Sequence, residues 1–204
     1  MALANQPAGA PRAPLKARVV PDAPGGPIAV YESADVDADL NAAIASGAPT
    51  PYGRVLWDMA PRVAHVVSAM ELAGKRVLEL GCGTGLVALV AARFGARVLA
   101  TDVDDAVLDA VARAARDAAV AVDTALFDVR SRAPLPAADI VVAADVLYEA
   151  PLAASIARRV LEAKARGSVV VLGDPGRVFR DQLARILADA GVDAAFSADG
   201  VVVI

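Results

Sequence analysis

The stretch Arg76-Val77-Leu78-Glu79-Leu80-Gly81-Cys82-Gly83-Thr84-Gly85 decides the fold. Its first half is a short, nearly continuous apolar run, as expected of a strand covered on both faces. Its second half sets glycine at 81, 83 and 85, so the backbone can turn tightly and approach a ligand without a Cβ in the way. Val87, Leu89, Val90 and Phe94 then predict a helix that stops at Gly95. Strand, glycine turn and helix in this order open a parallel α/β sheet.

Downstream the same alternation repeats. A second strand is expected over 97–101, ending at Asp102, and a helix over 105–119. A third strand over 122–126 ends near Phe127 and Asp128. The apolar run 139–144 predicts a fourth strand ending at Asp145, and Pro151 marks the first turn of the next helix. A fifth strand over 168–172 is closed by Gly173-Asp174-Pro175-Gly176-Arg177. Phe179, Leu183, Ile186 and Leu187 mark one more helix, with short strands expected at 193–196 and 201–204. The predicted fold is one doubly wound, Rossmann-like α/β domain over 28–204, with helices on both faces of a mostly parallel sheet. Ligands in such sheets sit beyond the carboxyl ends of the strands.

Upstream, a helix is expected over 34–45 and a break over 47–51. Val55, Leu56, Met59, Val63, Val66, Val67 and Met70 form a leading helical stripe, with Pro61 either an interruption or a first-turn residue. Residues 1–27 carry Pro7, Pro11, Pro14, Pro21, Pro24 and Pro27 and predict a flexible, extended arm, with one or two short extended pieces over 19–30.

Composition excludes several classes. The chain has 204 residues, 57% of them hydrophobic, but 49 are alanine, and its apolar runs fall far short of the roughly 18 residues a bilayer span needs. A net charge of −4 without a basic stripe disfavours nucleic acid as partner. One cysteine and one histidine make no structural zinc site, and a lone thiol fits the reducing cytoplasm. A cleavable export signal, a Walker loop, a GxGxxG dinucleotide fingerprint and a GxSxG nucleophile elbow are all missing from the sequence. No metal, no membrane contact and a monomer are therefore expected.

The residues after the strands describe a pocket for a nucleoside with little negative charge. Asp102 can accept from both hydroxyls of a ribose, or cap the following helix as Asp104 and Asp105 could. Asp128 can accept from an adenine amine while Phe127 covers the ring. Asp145 and Glu149 are expected near the reacting end, with Tyr148 as a flat wall. Trp57 packs as a wall residue or lines the transfer pocket, and Arg177 contacts substrate or forms a loop ion pair.

Together these motifs resemble the class I S-adenosylmethionine-dependent methyltransferases, over roughly 55–204. The resemblance implies a seven-stranded sheet and S-adenosyl-L-methionine as cofactor. Glu79 would lie near its methionine part and Gly81, Cys82, Gly83 and Gly85 beneath it. Asp102 with Val103, Asp128 and Asp145 would hold the nucleoside side. A narrower resemblance, carried by Leu56-Trp57, Asp145-Val-Leu-Tyr-Glu149 and Gly173-Asp-Pro-Gly-Arg177, is to the seven-strand protein-lysine methyltransferases, and within them to the electron transfer flavoprotein beta-subunit lysine methyltransferases. It implies a protein substrate, with Trp57, Tyr148, Asp174 and Arg177 at the substrate and Asp145, Tyr148, Glu149 and Trp57 around the reaction. A small-molecule N-methyltransferase of the nicotinamide N-methyltransferase type, or a cofactor-binding protein without turnover, are the competing readings.

Overall fold

The computed structural model describes residues 12–48 and 50–204. Strands β3 (Arg76–Leu80), β4 (Arg97–Asp102), β5 (Val122–Leu126), β6 (Ile140–Ala144), β7 (Val169–Gly173) and β8 (Val201–Val203) form one sheet in the order β5-β4-β3-β6-β7-β8. All pairs are parallel except β7 with β8. The strand order reverses between β3 and β6, which opens a crevice at their carboxyl ends.

Alternate strand residues feed two cores, because successive side chains point to opposite faces. Val77, Val98, Ala100, Val142 and Val171 pack with helices α2 (Met59–Ser68), α3 (Leu86–Arg93) and α4 (Asp105–Asp117). Leu78, Leu80, Val141, Val170 and Leu172 pack with α5 (Ala150–Ala165) and α6 (Arg180–Asp189). α3 is covered all round: each residue from Leu86 to Ala91 is buried, so its apolar run is a core helix rather than an amphipathic one. Among the described residues no helix is long and apolar enough to cross a membrane.

Three features differ from the sequence reading. The sheet has six strands among the described residues, not seven, because 193–196 is irregular. The leading helix starts only at Met59: Pro51 precedes a single 3-10 turn, Tyr52–Arg54, and Leu56-Trp57 are irregular. Part of the expected arm is paired. Strand β1 (Leu15–Val20) forms an antiparallel hairpin with β2 (Ile28–Ser33), whose Ile28 and Val30 enter the core beside α3 and α4. The prolines fall outside β1 and leave its ladder intact. Residues 1–11 of that arm lie outside the described residues.

The hairpin is tied down by charge. Helix α1 (Val36–Ser46) carries Asp39, whose Oδ2 lies 2.9 Å from Arg54 Nη1 in a buried ionic contact without hydrogen-bond alignment. Asp39 Oδ1 accepts the Ala13 amide at 2.6 Å, and Arg54 Nη2 donates to the Ala13 carbonyl. Arg12 pairs with Asp104, the N-cap of α4, at 2.6 Å.

Candidate functional site

The glycine turn lies at the switch point, between β3 and α3. Gly83 has φ +50, and a Cβ there would meet the Gly53 carbonyl at 3.4 Å, so the 3-10 turn lies directly against it. Gly85 has φ +75, and a Cβ there would meet Val111 at 2.7 Å, where α4 packs against the turn. The two glycines serve different needs: one admits the overlying chain, the other admits the helix behind.

Glu79 is 2% exposed, and its Oε2 accepts from the Ala88 amide at 2.9 Å, in the first turn of α3. Burial pushes its carboxyl up to about 8. Asp102 ends β4 with its Oδ2 accepting from Gly83 N at 3.1 Å and its Oδ1 from Val103 N at 2.8 Å and Asp104 N at 3.2 Å. Burial raises its pKa and these three amides oppose the rise. Oδ1 is taken by two amides, but Oδ2 accepts only one and has a second lone pair, so the acid that braces the turn keeps acceptor capacity for a hydroxyl. The helix cap is Asp104, which accepts from Ala106 N at 3.0 Å; Asp102 is therefore not spent on capping. Val103 stands 48% exposed beside it, an apolar surface at the rim. Asp128, directly after Phe127, turns its Oδ1 to the Arg130 amide and side chain at 2.8 and 3.1 Å. Cys82 is buried, and burial raises its thiol well above the ordinary range, which removes it as a nucleophile.

Beyond β6 the chain takes a left-handed step at Asp145, φ +63, a conformation that aspartate tolerates better than most residues. Asp145 is 8% exposed, and its Oδ1 accepts from Arg177 Nε at 2.7 Å and also from Nη2. The Arg177 guanidinium lies 5.7 Å from the centre of the Trp57 ring. Tyr52 joins this group edge-on, its ring 5.9 Å from Trp57 and 5.4 Å from Tyr148, and its carbonyl accepts the Trp57 indole N–H at 3.0 Å. Burial first, then the Glu149 charge, raises the Tyr148 phenol.

Thus Trp57, Tyr148, Asp145 and Arg177 come together. Two expected members do not join them in the same way. Glu149 is exposed at the residue before α5 and makes no capping bond, so the buried acid of the motif is Asp145. Asp174, expected at the substrate, is fully buried: its Oδ1 accepts from Gly176 N and Arg177 N at 2.8 Å, and it builds the turn that presents Arg177. Sequence reasoning misses Tyr52 and Gly53, because a three-residue turn between Pro51 and the helical stripe has no periodicity to detect. The aromatic after Pro51 is the one available signal.

Residues 77–167 match the model of a methyltransferase-domain family. The electron transfer flavoprotein beta subunit lysine methyltransferase of Danio rerio is 29% identical over 145 residues, 63% of this chain and 52% of that protein. A Protein N-lysine methyltransferase of the same organism is 48% identical over 54 residues, 26% of this chain. The chain spans a quarter of that protein's length and about half of the former's. Among solved structures, the T. thermophilus 16S rRNA methyltransferase RsmC aligns with TM-score 0.65 at 18% identity, over 93% of this chain and 49% of that one. The magnesium protoporphyrin IX methyltransferase of Synechocystis aligns with TM-score 0.55 at 18% identity, over 71% of this chain and 80% of that one. The chain has the class I S-adenosylmethionine-dependent methyltransferase fold.

Proposed function

We propose that this chain is an S-adenosyl-L-methionine-dependent methyltransferase acting on the ε-amine of a protein lysine in the cytoplasm. The observation that carries the reading is the junction of two half-sites at the switch point: a glycine turn braced by Asp102, and an acid, Asp145, joined through Arg177 to the Trp57 ring, which Tyr52 links to Tyr148. The residues fit the cofactor chemically. Gly81 and Gly83 offer backbone to its methionine part, Asp102 offers its remaining Oδ2 lone pair to a ribose hydroxyl, and Asp128 offers an acceptor to an adenine amine. The two carboxylates among these groups would repel a phosphate, in keeping with a cofactor that has none.

When bound, the cofactor supplies an electrophilic methyl group on a sulfonium. This chain's own residues do the rest. Asp145 holds the acceptor's cation, and Trp57, Tyr52 and Tyr148 line the alkyl chain and exclude water. An amine must be neutral to attack; the three rings are each more than a third exposed, and the desolvation that comes when an acceptor covers them favours the neutral form while Asp145 favours the cation. Asp145 therefore orients the ammonium, and its proton leaves to solvent before transfer. Catalysis then rests mainly on alignment.

Lysine is favoured over a metabolite by the relatives that name protein lysine as their substrate, and the electron transfer flavoprotein beta subunit is the first acceptor to try. Lysate incubated with isotopically methyl-labelled cofactor and read by mass spectrometry should show label on lysine of one or few proteins. Label confined to small molecules would sink the lysine reading; none at all, with cofactor bound, would favour a binding protein without turnover.

A further inference from the structure

Asp145 is a nearly buried carboxylate that does not stand free. Its partner is the Arg177 guanidinium, 31% exposed on a side chain carried by a solvent-facing turn. The same guanidinium lies over the Trp57 ring, whose indole N–H is fixed by the Tyr52 carbonyl. A buried acid and an aromatic face together form a receptor for an organic cation, and here a residue of the chain itself fills it.

We propose that Arg177 is a placeholder for the acceptor: its guanidinium holds the position that the substrate's ammonium takes on Asp145 and Trp57, and the acceptor enters by exchanging with it. This rests on the lysine reading above and deepens it, because it makes Arg177 a specificity-determining residue. Removing Arg177 from Asp145 leaves a carboxylate buried without a counter-charge, a costly state unless another cation arrives. A neutral amine or alcohol cannot compensate, so the exchange selects a cationic alkylamine. The turn is built for the movement. Asp174 Oδ1 holds the backbone amides of Gly176 and Arg177 at 2.8 Å, so the loop keeps its shape when the side chain swings out. Val178 next to it is 79% exposed, and no packed element has to shift.

The test uses the single tryptophan of the chain as its own reporter. The full chain is titrated with n-butylammonium, the end of a lysine side chain, at constant ionic strength, with 1-butanol as neutral control, while Trp57 emission is followed. Butylammonium should change the emission saturably and butanol should not. Arg177→Met should tighten the apparent butylammonium Kd about tenfold or more, because the site no longer spends most of its time self-occupied. An unchanged or weaker Kd in Arg177→Met, or no saturable response in either protein, overturns the placeholder. If Arg177→Met does not fold by circular dichroism, Arg177→Lys replaces it: its shorter cation competes less well, so a tighter Kd supports the proposal and an unchanged one overturns it. Calorimetry with S-adenosylmethionine on the same samples separates the levels. No cofactor binding in the wild type sinks the methyltransferase reading, whereas cofactor binding with an unmoved butylammonium Kd sinks only the role of Arg177.

Discussion

A carboxyl group with almost no exposure and one amide partner is a poor place for a charge, and near neutral pH Glu79 keeps its proton instead. In the folded chain its pKa stands at about 8, against 4.5 for an ordinary glutamate, with burial as the cause. Between those values the folded state holds a proton that the unfolded state has released. Its contribution to stability is therefore full below about 4.5 and is lost as pH rises through about 8, at up to ~1.4 kcal/mol per pH unit. Urea unfolding of the wild type and Glu79→Gln at pH 5.5 and 8.5 checks this. Glutamine keeps an acceptor for the Ala88 amide, so the variant should lose least at high pH and flatten the profile; parallel profiles would show that Glu79 does not titrate in this window. Asp102 predicts the opposite kind of effect. Asp102→Ala removes a charged acceptor that also braces Gly83, and should weaken S-adenosylmethionine binding roughly 10–100-fold by calorimetry, the loss of about 1.5–3 kcal/mol expected for bonds to a charged group. Both acids are legible in the sequence because each sits at a strand end next to glycine or a helix start. Asp174 is not: its position in Gly-Asp-Pro-Gly-Arg matches a loop acid that reaches substrate, and only its burial shows that it serves the turn.

The hairpin and the 3-10 turn show where pattern stops informing. β1 has four exposed residues of six and no apolar alternation of its own; its pairing is decided by β2, which buries Ile28, Val30 and Tyr31. The proline density points to an open arm, yet Ala13 is gripped by Asp39 and Arg54 from elements far apart in sequence. Such long-range polar contacts leave no periodic trace, whereas the βα repeats after residue 76 arise from local runs and are legible to within a residue or two. The missing strand at 193–196 is the same lesson in reverse: the stretch packs Ala194 and Phe196 against the core and bonds to β8 through Ser197, but forms no ladder along the edge. The Asp39–Arg54 contact is also where the element scale makes a prediction. Arg54→Leu strands a buried carboxylate and should cost about 3–5 kcal/mol in denaturant unfolding. Replacing both residues by leucine should recover only part of that loss, because the Ala13 amide and carbonyl then lose their partners. The single variant should also loosen Tyr52–Arg54 over Gly83 and change Trp57 emission, because the Trp57 indole N–H bonds to the Tyr52 carbonyl; a stability loss without a spectral change would uncouple the hairpin from the site.

At the scale of the whole molecule, the high hydrophobic fraction goes into two cores, one on each face of the sheet, the first rich in alanine and valine and the second in leucine and valine, which leaves the functional groups at the strand ends. Residues from both halves of the sheet meet there: Glu79 and Asp102 on the β3–β4–β5 side, Asp145 and Arg177 on the β6–β7–β8 side. A ligand spanning the switch point touches both halves, so its binding free energy adds to global stability rather than to one loop. S-adenosylhomocysteine at about 100 times its Kd should contribute ~2.7 kcal/mol, which for a chain of this size raises Tm by about 5–10 °C. The shift should grow with the logarithm of ligand concentration and fall to the equivalent of about 0.4–1.4 kcal/mol in Asp102→Ala at the same concentration, where a 10–100-fold weaker Kd leaves the ligand at only about 1–10 times Kd. NAD should give none, because the third glycine comes at 85, one position early for a pyrophosphate-binding turn. Thermal denaturation with the two ligands in parallel therefore tests the fold's chemistry before any acceptor is known: equal shifts from both would show a nonselective nucleoside cleft, and a shift from NAD alone would replace the methyl donor with a dinucleotide.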